Sequence, residues 1–339
     1  MVHVGPHKTG TTYLQLRFDA ARERLRQGGV VYPAEWSSAE NEPSHRKLVV
    51  GLREGRTADL KSQFEAIERG NPEYVLISGE GINHLPQSAI AALRTLMGSH
   101  PVTLIFYCRR WSELLPSLWQ ERVKHGYDET FPEFFADNMS DPFASVIMNF
   151  ALRLNVYADV FGFENIRLVS YSNICDAGID LADHFFDTFL PHHRSLIDDL
   201  SVLPVARPNQ SLPPLQVEVM RALNAFSIRN GTLPPSSALR EWSMAHAGRF
   251  ETTALLAAIR AAGATLHFSD ASSSARQLQD ALSATYLALM VPPVKPGRLF
   301  EPGASEIPFF HQRYLTDRSA WRILDELYTA YRATLRSAV

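Results

Sequence analysis

Short apolar runs with little alternation recur along the first half of the chain: Val2–Val4, Val30–Tyr32, Tyr74–Ser78, Val102–Cys108 and Ile166–Tyr171. A strand wet on one face would alternate apolar and polar positions. Continuous β-branched runs instead suit parallel strands covered on both faces. Between the runs, apolar residues recur every three or four positions over Thr11–Gln27, Ala58–Arg69, Gln87–Met97, Ser112–His125 and Phe143–Phe161, which predicts helices. Strand–helix alternation at these spacings predicts an α/β fold, a parallel five-stranded sheet with helices on both faces. Right-handed crossovers bring the loops after the strands to one common edge, where ligands of such sheets bind.

Beyond Asp180 the pattern turns mostly helical, over Leu181–Leu190, Pro214–Arg229, Thr252–Ala262, Ala275–Leu289 and Asp317–Leu335. The reading is one domain over 1–339, with 1–175 as an α/β core and 176–339 as a mostly helical C-terminal cap. Within the latter, 230–274 is rich in Ala and Ser, is punctuated by Pro234, Pro235 and Ser272–Ser274, and reads as a helical insertion or cap. No internal repeat or low-complexity tract is visible.

Composition narrows the classes. Hydrophobic residues at 45%, charged residues at 20% and a mean hydropathy of -0.13 support a large core and exclude disordered or collagen-like chains. A net charge of -3 and a pI near 6.5 give no basic field for nucleic acid, so anion binding must come from a local site. Cys108 and Cys175 are too few for a disulfide framework or a Cys-rich zinc site, and a reduced, cytoplasmic compartment is expected. No apolar run approaches the ~18 residues of a membrane span; Leu287–Val291 stops at Pro292 and Pro293. The N-terminus shows no basic segment followed by an apolar one, so no signal peptide is read there.

The strongest chemical signal is Val4-Gly5-Pro6-His7-Lys8-Thr9-Gly10-Thr11-Thr12-Tyr13-Leu14, set between a strand and an amphipathic helix. Glycines let backbone approach an anion, and the N–H groups at the helix start point at it. Gly5 and Gly10 fit the spacing of the triphosphatase template G-x-x-x-x-G-K-[ST], but Thr11 stands where its lysine must be. The lysine is Lys8, three residues earlier on the crown of the loop. The expected metal-holding acid is also missing, since Val102–Cys108 ends on Arg109. A triphosphate would keep several charges uncompensated here, so triphosphate hydrolysis is not expected.

Lys8-Thr9-Gly10-Thr11-Thr12-Tyr13 resembles the 5′-phosphosulfate loop of sulfotransferases that use 3′-phosphoadenosine 5′-phosphosulfate (PAPS), whose pattern is K-[ST]-G-T-T before an aromatic or small residue. The resemblance implies a sheet like that of P-loop kinases, with Pro6, His7, Lys8, Thr9, Gly10, Thr11, Thr12 and Tyr13 at the cofactor. It further implies a 3′-phosphate site made by an arginine at a later strand end and a serine eight residues on, here Arg109 and Ser117. A guanidinium fork and a helix hydroxyl suit one phosphate. Trp111 replaces a proline frequent in the family, and Arg110 adds a second guanidinium. Lys295-Pro296-Gly297-Arg298 corresponds to a late basic loop that closes the 3′-phosphate site, without the full motif. The resemblance covers residues 1–175 well and the helical half weakly.

The activity so implied is sulfuryl transfer from PAPS to a hydroxyl or amine of a small-molecule, carbohydrate or lipid acceptor, leaving adenosine 3′,5′-bisphosphate. Lys8 and the loop amides neutralise the leaving phosphate, so no metal is expected. The base should follow Val75–Ser78. A glutamate does so in heparan-type relatives and a histidine in cytosolic small-molecule relatives; the resemblance makes Glu80, just after the strand, the expected general base, with His84 and a plain helix-start role for Glu80 as the alternatives. His45 is a candidate for the acceptor cleft, and Arg207–Leu212 resembles a bacterial segment or caps the next helix. Trp36, Trp111, Trp119 and Phe131 read as an acceptor platform or as core. The rival readings are a P-loop small-metabolite kinase and a non-catalytic nucleotide-binding protein.

Overall fold

The computed structural model describes residues 1–37, 43–202, 212–229, 264–292 and 298–309, with isolated positions between 322 and 333. In chain order β1 (Val2–Val4) leads to α1 (Thr11–Ala20), α2 (Arg22–Gln27) and β2 (Val30–Val31). Then come α3 (Arg46–Arg53), α4 (Thr57–Arg69), β3 (Tyr74–Val75), β4 (Ile77–Ser78), a 3-10 turn over Glu80–His84, and α5 (Gln87–Leu96). Next follow β5 (Leu104–Cys108), α6 (Trp111–Lys124), α7 (Phe131–Ser140), α8 (Ala151–Phe161), β6 (Ile166–Ser170), α9 (Tyr171–Asp176) and α10 (Leu181–Phe189). The later described elements are α11 (Pro214–Arg229), β7 (Ala264–Ser269), α12 (Ser273–Ser283), β8 (Met290–Val291) and β9 (Ala304–Phe309).

The chain divides into two compact units: Met1–Arg110 with Val146–Asn209 and Arg276–Glu301, and Trp111–Ser145 with Gln210–Ala275 and Pro302–Val339. The first holds an all-parallel sheet in the order β4-β1-β5-β6-β8. β2 pairs in parallel with β3, and the Leu76 N–H, between β3 and β4, donates to Val31 O at 2.9 Å. The run Tyr74–Ser78 is therefore flanked by Val30–Val31 on one side and β1 on the other.

Alternate residues of each strand feed two cores. Val4, Ile77, Leu104, Phe106 and Leu168 pack with residues of α3, α4, α5 and α8; Leu76, Ile105, Tyr107 and Val169 pack with those of α1, α2 and α10. The sheet is thus covered on both faces, which is why its strands read as unbroken apolar runs.

In the second unit α6, α7 and α11 accompany an antiparallel pair, β7 with β9. α11 buries an ion pair, Arg221 Nη2 to Glu218 Oε1 at 2.7 Å, and Arg221 Nη1 also donates to Asp128 O at 3.0 Å. The segment 264–269, read from the sequence as part of a helical insertion, is a strand. Its Ala-Thr-Leu-His-Phe-Ser pattern finds antiparallel partners in Ala304–Phe309, which lie too far along the chain for local periodicity to reveal. Residues 230–263, the predicted helix Thr252–Ala262, the segment Arg207–Ser211 and Lys295–Gly297 lie outside the described residues, as does most of Asp317–Leu335.

Candidate functional site

β1 has its sheet neighbours on both sides, β4 and β5. From β1 the chain fills one side of the sheet, then crosses to β5 and fills the other. The loop after β1 therefore opens at the switch point where open α/β sheets take ligands. Within that loop Lys8 has φ 71 and Gly10 φ 77, two left-handed residues of the kind found in anion-binding turns. Gly10 is the N-cap of α1, and no acidic residue sits in the helix's first turn, so the positive end of the helix is unopposed from within. A Cβ on Gly5 would run into the Thr11 hydroxyl, and one on Gly10 into Leu181 and Tyr171. Glycine is required at both places.

The threonines divide their work. Thr9 is buried and donates to Pro6 O at 2.8 Å, bracing the loop from inside. Thr11 is buried beside it, 3.5 Å between hydroxyl oxygens. Thr12 is half-buried and donates to Glu80 Oε1 at 3.4 Å. Tyr13 gives its hydroxyl to Asp180 and receives Arg17 Nε at 3.1 Å, with the Arg17 guanidinium over its ring. Burial, then the Asp180 bond, pushes its phenol up to about 12.

Across the loop lies the turn after β4. His7 Nδ1 is 2.7 Å from Glu80 Oε2, and the His7 ring is stacked on His84 with 5.3 Å between centroids. Burial raises the Glu80 carboxyl, but the His7 hydrogen bond, the charges of His7 and Lys8 and the Thr12 hydroxyl together hold it below its usual range. His84 is lowered, first by burial and then by the charges of His7, Arg153 and Arg53. Glu80, His84 and Lys8 thus share one rim. The stacked His7–His84 pair and the His7–Glu80 bond are additions that sequence spacing did not signal; the parallel pairing of β1 with β4 creates them.

Arg109, at the end of β5, donates Nη1 to Lys8 O at 2.9 Å and lies over the Tyr171 ring. It supports the crown of the loop. Ser117 is half-buried in α6 and belongs to the second unit. Arg110 is not a second phosphate ligand: it is buried, paired to Asp176 through Nη2 at 2.8 Å, and bonded to Glu301 O at 3.2 Å. Asn173 also holds that late segment, accepting from Glu301 N at 3.0 Å and donating to Leu299 O at 3.2 Å. Half-buried Arg298 directly precedes it; Lys295 lies outside the described residues.

His45 does not face an acceptor. It is buried, stacked on Tyr32 at 4.3 Å, and its Nδ1 accepts from Ser78 N at 3.2 Å. Beneath the loop His3 is also fully buried, with Nδ1 2.8 Å from Ser78 Oγ, which further accepts from Gln15 Nε2 at 3.2 Å. Trp36, Trp111, Trp119 and Phe131 are buried, as core aromatics are.

Among the described residues no cluster of three or more His, Cys, Asp or Glu is placed to hold a metal, and no helix is long and apolar enough to cross a membrane. Comparison with protein-family models, with curated proteins and with solved structures returned no match.

Proposed function

We propose that the chain is a PAPS-dependent sulfotransferase on a P-loop-type sheet, moving a sulfuryl group to a hydroxyl or amine of a small-molecule, carbohydrate or lipid acceptor. The observation that carries this reading is the loop at the sheet's switch point. Its cation, Lys8, stands on the crown in a left-handed conformation, and His7, beside it in the loop, lies 2.7 Å from Glu80 on the facing turn. When bound, PAPS supplies the sulfuryl group and the phosphate that leaves it. Lys8, the amides from Gly10 onward and the end of α1 suit that phosphate. Arg109, with Lys295 and Arg298, is the proposed 3′-phosphate set of the first unit.

A carboxylate beside an anion site weakens ground-state binding unless a cation offsets it, and here the Lys8 charge does so. Such a carboxylate is better explained by proton chemistry. Glu80, with its hydrogen-bonded partner His7 and with His84 beside it, is accordingly the proposed proton-handling group. A kinase reading needs its lysine at position 11, where Thr11 stands, and an acid for Mg²⁺; a purely nucleotide-binding protein has no use for Glu80.

Calorimetry with adenosine 3′,5′-bisphosphate, ADP and ATP–Mg²⁺ tests the proposal. Binding of the bisphosphate without divalent metal, tighter than ADP, is expected. Binding of ATP–Mg²⁺ alone would mean a kinase.

A further inference from the structure

Both oxygens of Glu80 are engaged, Oε2 by His7 Nδ1 at 2.7 Å and Oε1 by the Thr12 hydroxyl at 3.4 Å. Its side chain is 27% exposed and that of His7 52%, so the imidazole presents the more open surface of the pair. A neutral imidazole that donates Nδ1–H to a carboxylate keeps its lone pair at Nε2. Resting on the sulfotransferase reading, we propose that the acceptor's proton is taken by Nε2 of His7. Glu80 is then the positioning residue behind Nδ1, and His84 the surface on which the ring lies flat.

The proton step balances simply. The acceptor's O–H or N–H bond breaks and its electron pair stays on the oxygen or nitrogen. The proton bonds to Nε2, while Nδ1–H remains shared with Glu80, whose negative charge offsets the new imidazolium. Solvent later takes the proton.

The charged and titratable groups around the ring come from four places. Lys8 is its chain neighbour, Glu80 and His84 on the 3-10 turn touch it, and Arg53, which ends α3, and Arg153, on α8, act on His84. Of these groups Glu80 is the anion, and it is bonded to the ring. The base therefore depends on the carboxylate, as an oriented histidine does in acyl-transfer triads. A carboxylate held below its usual range is itself the poorer acceptor near neutral pH.

Long-range proton–nitrogen correlation spectra of the ¹⁵N-histidine-labelled chain, without nucleotide, test this directly. His7 should appear as the Nδ1–H tautomer near neutral pH, and Glu80→Gln should erode that preference. Release of inorganic sulfate from PAPS, with water as acceptor, should fall by about 10²–10⁴-fold in His7→Gln. Its ascending pH limb in the wild-type chain should track the His7 titration seen in the spectra. Calorimetric affinity for adenosine 3′,5′-bisphosphate should change only a few-fold in either variant. An Nε2–H tautomer in the wild-type chain, or His7→Gln at near wild-type turnover with intact bisphosphate binding, overturns His7 as the base while the sulfotransferase reading survives. Absence of bisphosphate binding in the wild-type chain overturns both.

Discussion

Lys8 carries the charge of the loop from a backbone position usually left to glycine, at φ 71. A left-handed lysine costs roughly 1–2 kcal/mol against an unstrained one. Lys8→Gly removes the strain and the charge together, whereas Lys8→Ala removes only the charge. The glycine variant should therefore unfold with about 1 kcal/mol more resistance than the alanine variant. Both should bind adenosine 3′,5′-bisphosphate at least ~10-fold more weakly, the worth of one charge-assisted contact. Thermal unfolding beside calorimetry measures both; equal melting would mean the loop does not hold this conformation. Arg109→Ala should weaken the bisphosphate by about 1.5–3 kcal/mol. Because Arg109 also bonds Lys8 O, adenosine 5′-phosphosulfate should lose about 1 kcal/mol as well. An unchanged affinity for the phosphosulfate would make that bond dispensable. The loop residues were legible in sequence because the whole motif is contiguous. The His7–Glu80 pair was not, since it exists only once β1 lies against β4.

At the level of elements, legibility followed burial. Strands covered on both faces announce themselves as apolar runs, and the observed strands β1 to β6 fall within the five predicted segments. β8 escaped because Met290–Val291 continues an apolar stretch that reads as helix. The predicted helix Thr11–Gln27 breaks at Ala21, and Phe143–Phe161 is helical only from Ala151, where turns about Asp141–Asn149 interrupt the periodicity. α7 went unread although its start is marked by Thr130, Pro132 and Glu133. Glu133 Oε2 accepts from Thr130 N at 2.7 Å, and Thr130 Oγ1 accepts from Glu133 N at 3.4 Å, a reciprocal cap. Thr130→Ala should cost about 1 kcal/mol of stability. Thr130 belongs to the second unit and to none of the proposed binding groups, so bisphosphate affinity should not move. A urea titration of both proteins reads the first expectation and calorimetry the second. A stability loss below a few tenths of a kcal/mol would mean that α7 does not depend on its cap.

For the whole molecule, the two histidines sealed beneath the site make folding sensitive to acid. Burial lowers His3 to about 4, against a weaker upward pull from Glu80. Burial, then the Arg22 charge, lowers His45 to about 3. An unfolded histidine titrates near 6.5. Between that value and the folded ones, the unfolded chain binds protons that the native chain refuses, so stability rises with pH and falls on acidification. The stability these rings contribute is present above pH ~6.5 and drains as the pH drops toward 4. For His3 alone the shift corresponds to about 3 kcal/mol over the full window, of which roughly 2 is gone by pH 5. Carboxylates held low, Glu80 among them, act in the same direction but only below their ordinary value near 4.5, so the two sets separate by pH. The expected result is a urea midpoint that falls steeply between pH 6.5 and 5, before carboxylates titrate. In His3→Asn the side chain keeps a polar atom for Ser78 but takes no proton, so the fall over this interval should shrink, even if the variant starts less stable at pH 7. It is the slope against pH, not the starting stability, that decides. A slope unchanged by the substitution would mean that His3 is reached by water in the folded chain and does not govern its acid limit.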